Sequence, residues 1–232
     1  KNQLSKLQEL MSPAYCHDYF LNMTPVAYDI YLNNAWKTVV IGGNAQGGSG
    51  LFALDVTTPA ADTVSLMWDV ELPELKGSWN GPALVRDQHL NAHVLCVGTG
   101  YNPAVGQTNL LVLNPADGSV LSTFALGSPI GANKTTKAAA VDLNFDGYDD
   151  LLYLGDLSGR IYRVDLKTNP WTVTTLFSCG QPIQAAPAIG VDALGRAMVF
   201  FGTGEFLTAS DPATTSQQSI YGIIDDNSGA TF

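Results

Sequence analysis

An apolar strand running straight into glycine occurs four times in this chain: VVIGG at 39–43, LCVGTG at 95–100, LLYLGD at 151–156 and VFFGTG at 199–204. The glycines Gly42, Gly98, Gly155 and Gly202 lie 56, 57 and 47 residues apart. A polar loop then leads each time to a second apolar strand ending in Asp or Asn: LFALD at 51–55, LLVLN at 110–114, IYRVD at 161–165 and YGIID at 221–225. A further strand precedes each unit: TPVAYD at 24–29, GPALVRD at 81–87, KAAAVDL at 137–143 and AAPAIGVD at 185–192. Three units also have a strand behind: SLMWDV at 65–70, VLSTFAL at 120–126 and WTVTTLF at 171–177. Four short antiparallel strands in about 50 residues is the period of a propeller blade. The Ala- and Pro-rich leading strands suit the crowded centre, where the innermost strands converge.

The expected fold is therefore all-β, a partial β-propeller of about four blades within a single domain over 1–232. The blade units are about 24–70, 81–126, 137–177 and 185–226. A β-sandwich with regular turns is the alternative, but it does not need the same strand order four times. The fourth unit reads as stopping after its third strand, near Asp226. An arc of a larger ring is expected, completed by sequence outside these residues. QLSKLQELM at 3–11 has apolar residues at Leu4, Leu7, Leu10 and Met11, the spacing of a short amphipathic N-terminal helix. HDYFL at 17–21 is a weak closing-strand candidate.

The chain has 232 residues, 46% of them hydrophobic, enough for a sizeable core. Only 14% are charged, against 23 Gly and 12 Pro, a balance of strands and turns rather than long exposed helices. With a formal net charge of −10 there is no basic patch for nucleic acid or anionic membrane. No apolar run approaches the roughly 18–20 residues that span a bilayer. The first residue is Lys, and the start reads like a cut within a longer chain. The three cysteines form no CxxC pair. Cys96, in an apolar run, is expected buried, and spacing leaves a Cys16–Cys179 disulfide open.

The one motif with metal chemistry is DLNFDGYDD at 142–150. Oxygen side chains alternate at Asp142, Asn144 and Asp146, Gly147 allows a sharp turn, the Tyr148 carbonyl supplies a backbone donor, and Asp150 closes the loop. This is the opening of an EF-hand loop, here between strands and with Asp150 in place of the distal Glu. Calcium takes 6–8 hard oxygens at about 2.3–2.6 Å, and a tight loop of alternating carboxylates can converge on one ion. A plain Asp-Gly hairpin turn would not need Asp142, Asn144 and Asp150 as well. Four carboxylates in nine residues also repel without a cation. Asp149 is expected to point away from Asp150 and stands outside the ligand set. The expected affinity is modest, roughly 10⁻⁶ to 10⁻³ M.

Other signals carry less. GGNAQGGSG at 42–50 and GTGYNPAVG at 98–106 do not lead into helices, so they read as connecting loops rather than dinucleotide cradles. His89 and His93, four apart, fall in a turn between strands instead of on a helix that could share zinc. His17 stands alone. No serine has a nucleophile elbow. Trp36, Trp68, Trp79 and Trp171 read as blade packing, with Trp79 in a loop. Tyr101, Phe145 and Tyr148 read as core or loop anchors, with an aromatic rim as the alternative.

Taken in order, CHDYFLNMTPVAYDIY, AWKTVVIGG, GGSGLFALDVT, VGTGYN, AAAVDLNFDGYDDLLYLGDLSGRIYRVDL, QPIQAAPAIG, FFGTGEFL and SIYGIIDD resemble one family. It is the C-terminal domain of the PilY/PilC proteins, type IV pilus tip-associated adhesins and biogenesis factors. The resemblance implies a quinoprotein-like propeller at the cell surface, pilus tip or outer membrane. It implies roles in pilus assembly, twitching motility and adhesion, with calcium occupancy opposing retraction. Pilin or minor pilin subunits, and a host-cell receptor, are the implied partners. By motif match the calcium ligands are Asp142, Asn144, Asp146, the Tyr148 carbonyl and Asp150. Asn144 stands where the family often has Asp, which removes one charge. The von Willebrand-like N-terminal region and first blade of such proteins are not among these residues.

A non-enzymatic binding module is the leading reading. A quinone-cofactor (PQQ-type) dehydrogenase is the enzymatic alternative; it lacks adjacent cysteines and a base beside the calcium loop, and quinone absorbance would reveal it. An integrin-like structural calcium propeller is the third, but there the hairpin motif recurs in several blades.

Overall fold

The computed structural model describes residues 3–58, 60, 62–77, 80–101, 107–127, 134–226 and 230–231. Trp79 and the end of the 98–106 loop lie outside these. The described residues form four four-stranded antiparallel sheets, each in sequential strand order. The first holds β1 (Val26–Leu32), β2 (Ala35–Gly43), β3 (Gly50–Asp55) and β4 (Ser65–Glu71). β5 (Ala83–Asp87), β6 (Ala92–Gly98), β7 (Thr108–Leu113) and β8 (Val120–Gly127) make the second. The third comprises β9 (Ala139–Val141), β10 (Leu151–Gly155), β11 (Arg160–Asp165) and β12 (Thr172–Ser178). β13 (Ala188–Val191), β14 (Ala197–Gly202), β15 (Ile220–Asp225) and β16 (Ala230–Thr231) form the fourth. This is the architecture of a partial β-propeller.

Each blade is covered by its neighbour, and side chains alternate between the two faces of a strand. Leu95 and Val97 of β6 face the first blade, where they join Ile30, Val39, Ile41 and Trp68. Between them, Cys96 turns to the third blade with Val94, Leu110, Leu152 and Leu154. On β10 the alternation repeats: Leu151 and Tyr153 turn to Val199, Phe201 and Ile223 of the fourth blade. Strands covered on both faces must be apolar at every position, which is why LCVG and LLYLG read as unbroken hydrophobic runs. Each fully buried Leu or Ile adds about 1.5–3 kcal/mol.

The recurring glycine has a steric cause at three of its four positions, and at the first of them a Cβ on Gly42 would come 2.6 Å from Phe52 Cζ. A Cβ at Gly98 would collide with the Thr135 side chain, and one at Gly155 would come 2.8 Å from Ile183 Cγ2. Thr135 and Ile183 belong to the segments that enter the next blade: Thr135 donates from its backbone N to Thr99 O and Ile183 to Asp156 O, both at 3.0 Å. The recurring Asp or Asn at the end of the third strand is a turn device. Asp55, Asn114 and Asp165 each accept the backbone N–H two residues on, at 3.0 Å.

Two expectations need correction, at the end of the fourth blade and at residues 17–21, and two open readings, the kind of N-terminal helix and the state of two cysteines, are made definite. The fourth blade does not stop near Asp226, because β16 pairs with β15 through Ile224↔Thr231 and Asp225↔Ala230. Leu4–Met11 is a 3₁₀-helix, which places Leu4, Leu7 and Leu10 on one exposed edge. No strand forms at 17–21. Cys16 and Cys179 are free thiols; the Cys179 Sγ lies 3.3 Å from Gly159 O.

Candidate metal centre

Residues 142–150 connect β9 to β10 and form one coiled turn at the hairpin tip. Asp150 N donates to Val141 O at 2.8 Å, closing the hairpin base. Within it, Phe145 (φ 59°) and Gly147 (φ 90°) adopt left-handed backbone. Nothing crowds Gly147, so glycine is required there by conformation and not by space.

The predicted donors organise this turn. Asp142 accepts Phe145 N through Oδ1 (2.7 Å) and Gly147 N through Oδ2 (2.8 Å). Asn144 Oδ1 accepts Asp146 N (3.0 Å), and Asp146 Oδ1 accepts Tyr148 N (2.9 Å). Each oxygen-bearing residue therefore caps the loop backbone further along, which curls the chain and gathers the alternate positions on its inner side. Asp150 is buried and accepts Leu143 N through Oδ2 at 2.7 Å. Its Oδ1 meets Lys167 Nζ at 2.9 Å. Among the described residues no three His, Cys, Asp or Glu side chains close into a metal-holding cluster. Of the five predicted donors, two are of other kinds, the Asn144 amide and the Tyr148 carbonyl, and Asp150 leans to Lys167. The donor set is all hard oxygen and so fits calcium rather than zinc.

Asp149 faces the second blade. Its Oδ2 accepts Arg86 N at 2.8 Å, and its own N–H donates to Arg86 O at 3.0 Å. Burial, with the nearby charges of Asp142 and Asp150, raises its carboxyl above the usual range, while the bond from Arg86 opposes this. Tyr148 joins the same contact: its hydroxyl and Arg86 Nη2 both donate to Asn91 Oδ1, at 2.8 and 2.9 Å, and the guanidinium lies 5.3 Å over its ring.

The remaining candidates separate. His89 sits in a turn, with Nε2 3.1 Å from Lys167 O, whereas His93 lies on β6 against Tyr31 and Trp36. Burial lowers the His93 pKa. Trp68 packs in the first seam and Trp171 stacks on Phe124. Trp36, expected in blade packing, is instead 61% exposed near the β1–β2 turn, where only the rings of Tyr31 and His93 lie against it among the described aromatic contacts. Phe145 is 81% exposed at the loop tip, so it is not a core anchor.

Sequence reasoning missed Lys167, seventeen residues from its partner, and a buried lock between the third and fourth blades. There Asp225 Oδ2 accepts Tyr153 Oη and Arg163 Nε, both at 2.7 Å. A charged residue in an otherwise apolar strand, Arg163 in IYRVD, was the available signal.

Among the described residues no helix is long and apolar enough to cross a membrane. The family model described as the PilY1 beta-propeller domain matches residues 2–232. A type IV pilus biogenesis factor PilY1 homolog of Xylella fastidiosa is 32% identical over 96% of this chain and 19% of its own length. The type IV pilus biogenesis factor PilY1 of Pseudomonas aeruginosa strain PAO1 is 30% identical over 95% of this chain and 22% of its own. The chain thus spans about a fifth of the relatives it matches. The crystal structure of the Pseudomonas aeruginosa PilY1 C-terminal domain superposes with a TM-score of 0.79 at 27% identity, over 89% of this chain and 49% of that one. Four sequential four-stranded blades and a family match over nearly every residue agree: the chain belongs to the PilY1 β-propeller domain family.

Proposed function

We propose that this chain is the calcium-binding propeller region of a type IV pilus biogenesis factor, a non-enzymatic binding and assembly surface. The observation that supports it most is the loop at 142–150. Its Asp142, Asn144 and Asp146 side chains already cap the backbone in the alternating pattern a calcium loop needs. Calcium would be held by Asp142, Asn144, Asp146, the Tyr148 carbonyl and Asp150, and would supply the positive charge these oxygens lack. Its occupancy favours pilus extension over retraction, and through that twitching motility and surface adhesion. The proposed location is the cell surface, at the pilus or outer membrane, with pilin or minor pilin subunits and a host-cell receptor as partners. The names of the family's members support the pilus role.

Calorimetric titration of the chain with calcium tests the site. One ion per chain is expected, abolished in Asp150→Ala and weakened at least tenfold in the exposed-loop variant Asp146→Ala. A folded wild-type chain that takes up no calcium at millimolar concentration overturns the site. In cells, full-length protein carrying Asp150→Ala is expected to alter surface piliation and twitching; unchanged motility would refute the regulatory role.

A further inference from the structure

The Lys167–Asp150 ion pair bears on the calcium site proposed above, and the inference rests on that reading. Lys167 follows β11 by two residues. Its ammonium reaches back to Asp150 Oδ1 at 2.9 Å, with the Lys167 side chain 52% exposed and that of Asp150 only 6% exposed. The other Asp150 oxygen is held by Leu143 N. Asp142, Asn144 and Asp146 make their bonds inside the loop. Asp150, which closes the loop, is thus the donor that has recruited a cation from outside the loop, on the turn after β11.

We infer that Lys167 is the affinity-setting residue of the calcium site, a tethered monovalent cation that calcium must displace from Asp150. Three features suit it to this. An ammonium is a compact point charge on a flexible stem, able to leave without rearranging the backbone. Its stem is half in solvent, so the released head is rehydrated at once. The main chain that carries it stays fixed, because Leu166 N bonds Asp150 O and Lys167 O meets the His89 ring. Exchange of one cation for another therefore replaces loop collapse. Without calcium the ammonium already offsets the repulsion between Asp150 and its carboxylate neighbours, and the loop keeps its shape. Binding then carries the cost of breaking one ion pair and leaving a positive charge nearby, which holds the site to calcium-rich surroundings.

Calcium titrations of the wild-type chain, Lys167→Met and Lys167→Arg test this, together with the acylation rate of the Lys167 amine followed by mass spectrometry. Lys167→Met is expected to bind calcium roughly three- to tenfold more tightly at unchanged stoichiometry, the scale of one half-exposed ion pair. Lys167→Arg should stay within about twofold of wild type. In the wild-type chain, saturating calcium should accelerate acylation of Lys167 several-fold while other lysines stay constant. One-site binding with equal affinity in wild type and Lys167→Met, or a Lys167 acylation rate indifferent to calcium, overturns the inference and leaves the calcium site standing. Absence of binding in both folded proteins overturns the inference and the site together.

Discussion

Arg163→Met probes the lock between the third and fourth blades. Asp225, on β15, has a side chain only 1% exposed and shares one oxygen between Arg163 Nε and the Tyr153 hydroxyl of the opposite blade. Burial and the Asp225 charge push the Tyr153 hydroxyl up, so it stays a donor at any physiological pH. Removing Arg163 leaves a carboxylate in an apolar seam. Breaking a buried pair from one side costs about 3–5 kcal/mol, and the surviving Tyr153 bond places this case near the lower end. For a chain of this size 1 kcal/mol moves Tm by about 2–4 °C, so a drop of roughly 6–12 °C is expected by calorimetry or near-ultraviolet dichroism. Much of that cost is the loss of the cation beside the buried carboxylate, so Arg163→Met combined with Asp225→Asn should recover about 1–2 kcal/mol of it. The amides of β14 and β15 should exchange faster than those of β6 and β7, because the weakened seam borders the third and fourth blades and not the second. A single variant within 2 °C of wild type, or a double variant no better than the single, would show that the seam does not rest on this charge.

Three further outcomes follow from burial and partners. Trp68→Ala, which empties a seam position and loses a 2.9 Å bond to Pro115 O, should cost about 3–5 kcal/mol; Trp36→Ala at its exposed site should cost under about 0.5 kcal/mol, both read by denaturant melts. Burial pushes the Cys96 thiol up, so a thiol reagent should label exposed Cys16 rapidly, Cys179 more slowly, and Cys96 only after unfolding. Lys37 and then Thr57 hold the Asp55 carboxyl down at about 2. Because the folded value is depressed, this contribution is complete above the unfolded value near 3.9 and is lost as pH falls through about 2. Carboxyl NMR should follow that midpoint, and Lys37→Met should move it upward.

The blades were legible because their signals are local. A strand covered on both faces is apolar at every position, as in Leu151–Gly155, and a strand that ends in an Asx turn ends in Asp or Asn, as at Asp55 and Asp165. The loop at 142–150 could be picked out as a candidate for the same reason, since all five proposed donors fall within nine residues. Features set by partners distant in sequence were not. Lys167 reads as a turn residue until β11 is laid beside β10, which brings its stem to Asp150. Trp36 has the composition of a packing residue, yet its exposure depends on where the neighbouring blade ends. Ala230–Thr231 is too short for any periodicity to mark, and it becomes a strand only because β15 offers it an edge. At the N-terminus, i, i+3 spacing of leucines fits an α-helix and a 3₁₀-helix equally; only the α-form would have turned Met11 onto the same stripe.

How calcium in the loop could act beyond the loop follows from the interleaving of residues 142–150. The proposed donors occupy the even positions. Odd-numbered Asp149 and the ring of Tyr148 instead grip the second blade at Arg86 and Asn91. The Tyr148 carbonyl would touch the ion while the same residue's ring and hydroxyl hold the neighbour, and Asp149 and Asp150 divide the two tasks between adjacent carboxylates. An ion that fixes the loop therefore fixes the seam between the second and third blades in the same step. Its effect on that seam cannot exceed its preference for the ordered state. With free calcium at a hundred times Kd this is worth about 2.7 kcal/mol, and it falls to nothing well below Kd. That is comparable to burying one more Leu in a seam. It is enough to bias a contact between blades but too little to create the fold, which rests on three apolar seams. A calcium site of modest affinity in this position would thus bias one seam, whereas a structural staple would need either tighter binding or a loop with no contact to the next blade.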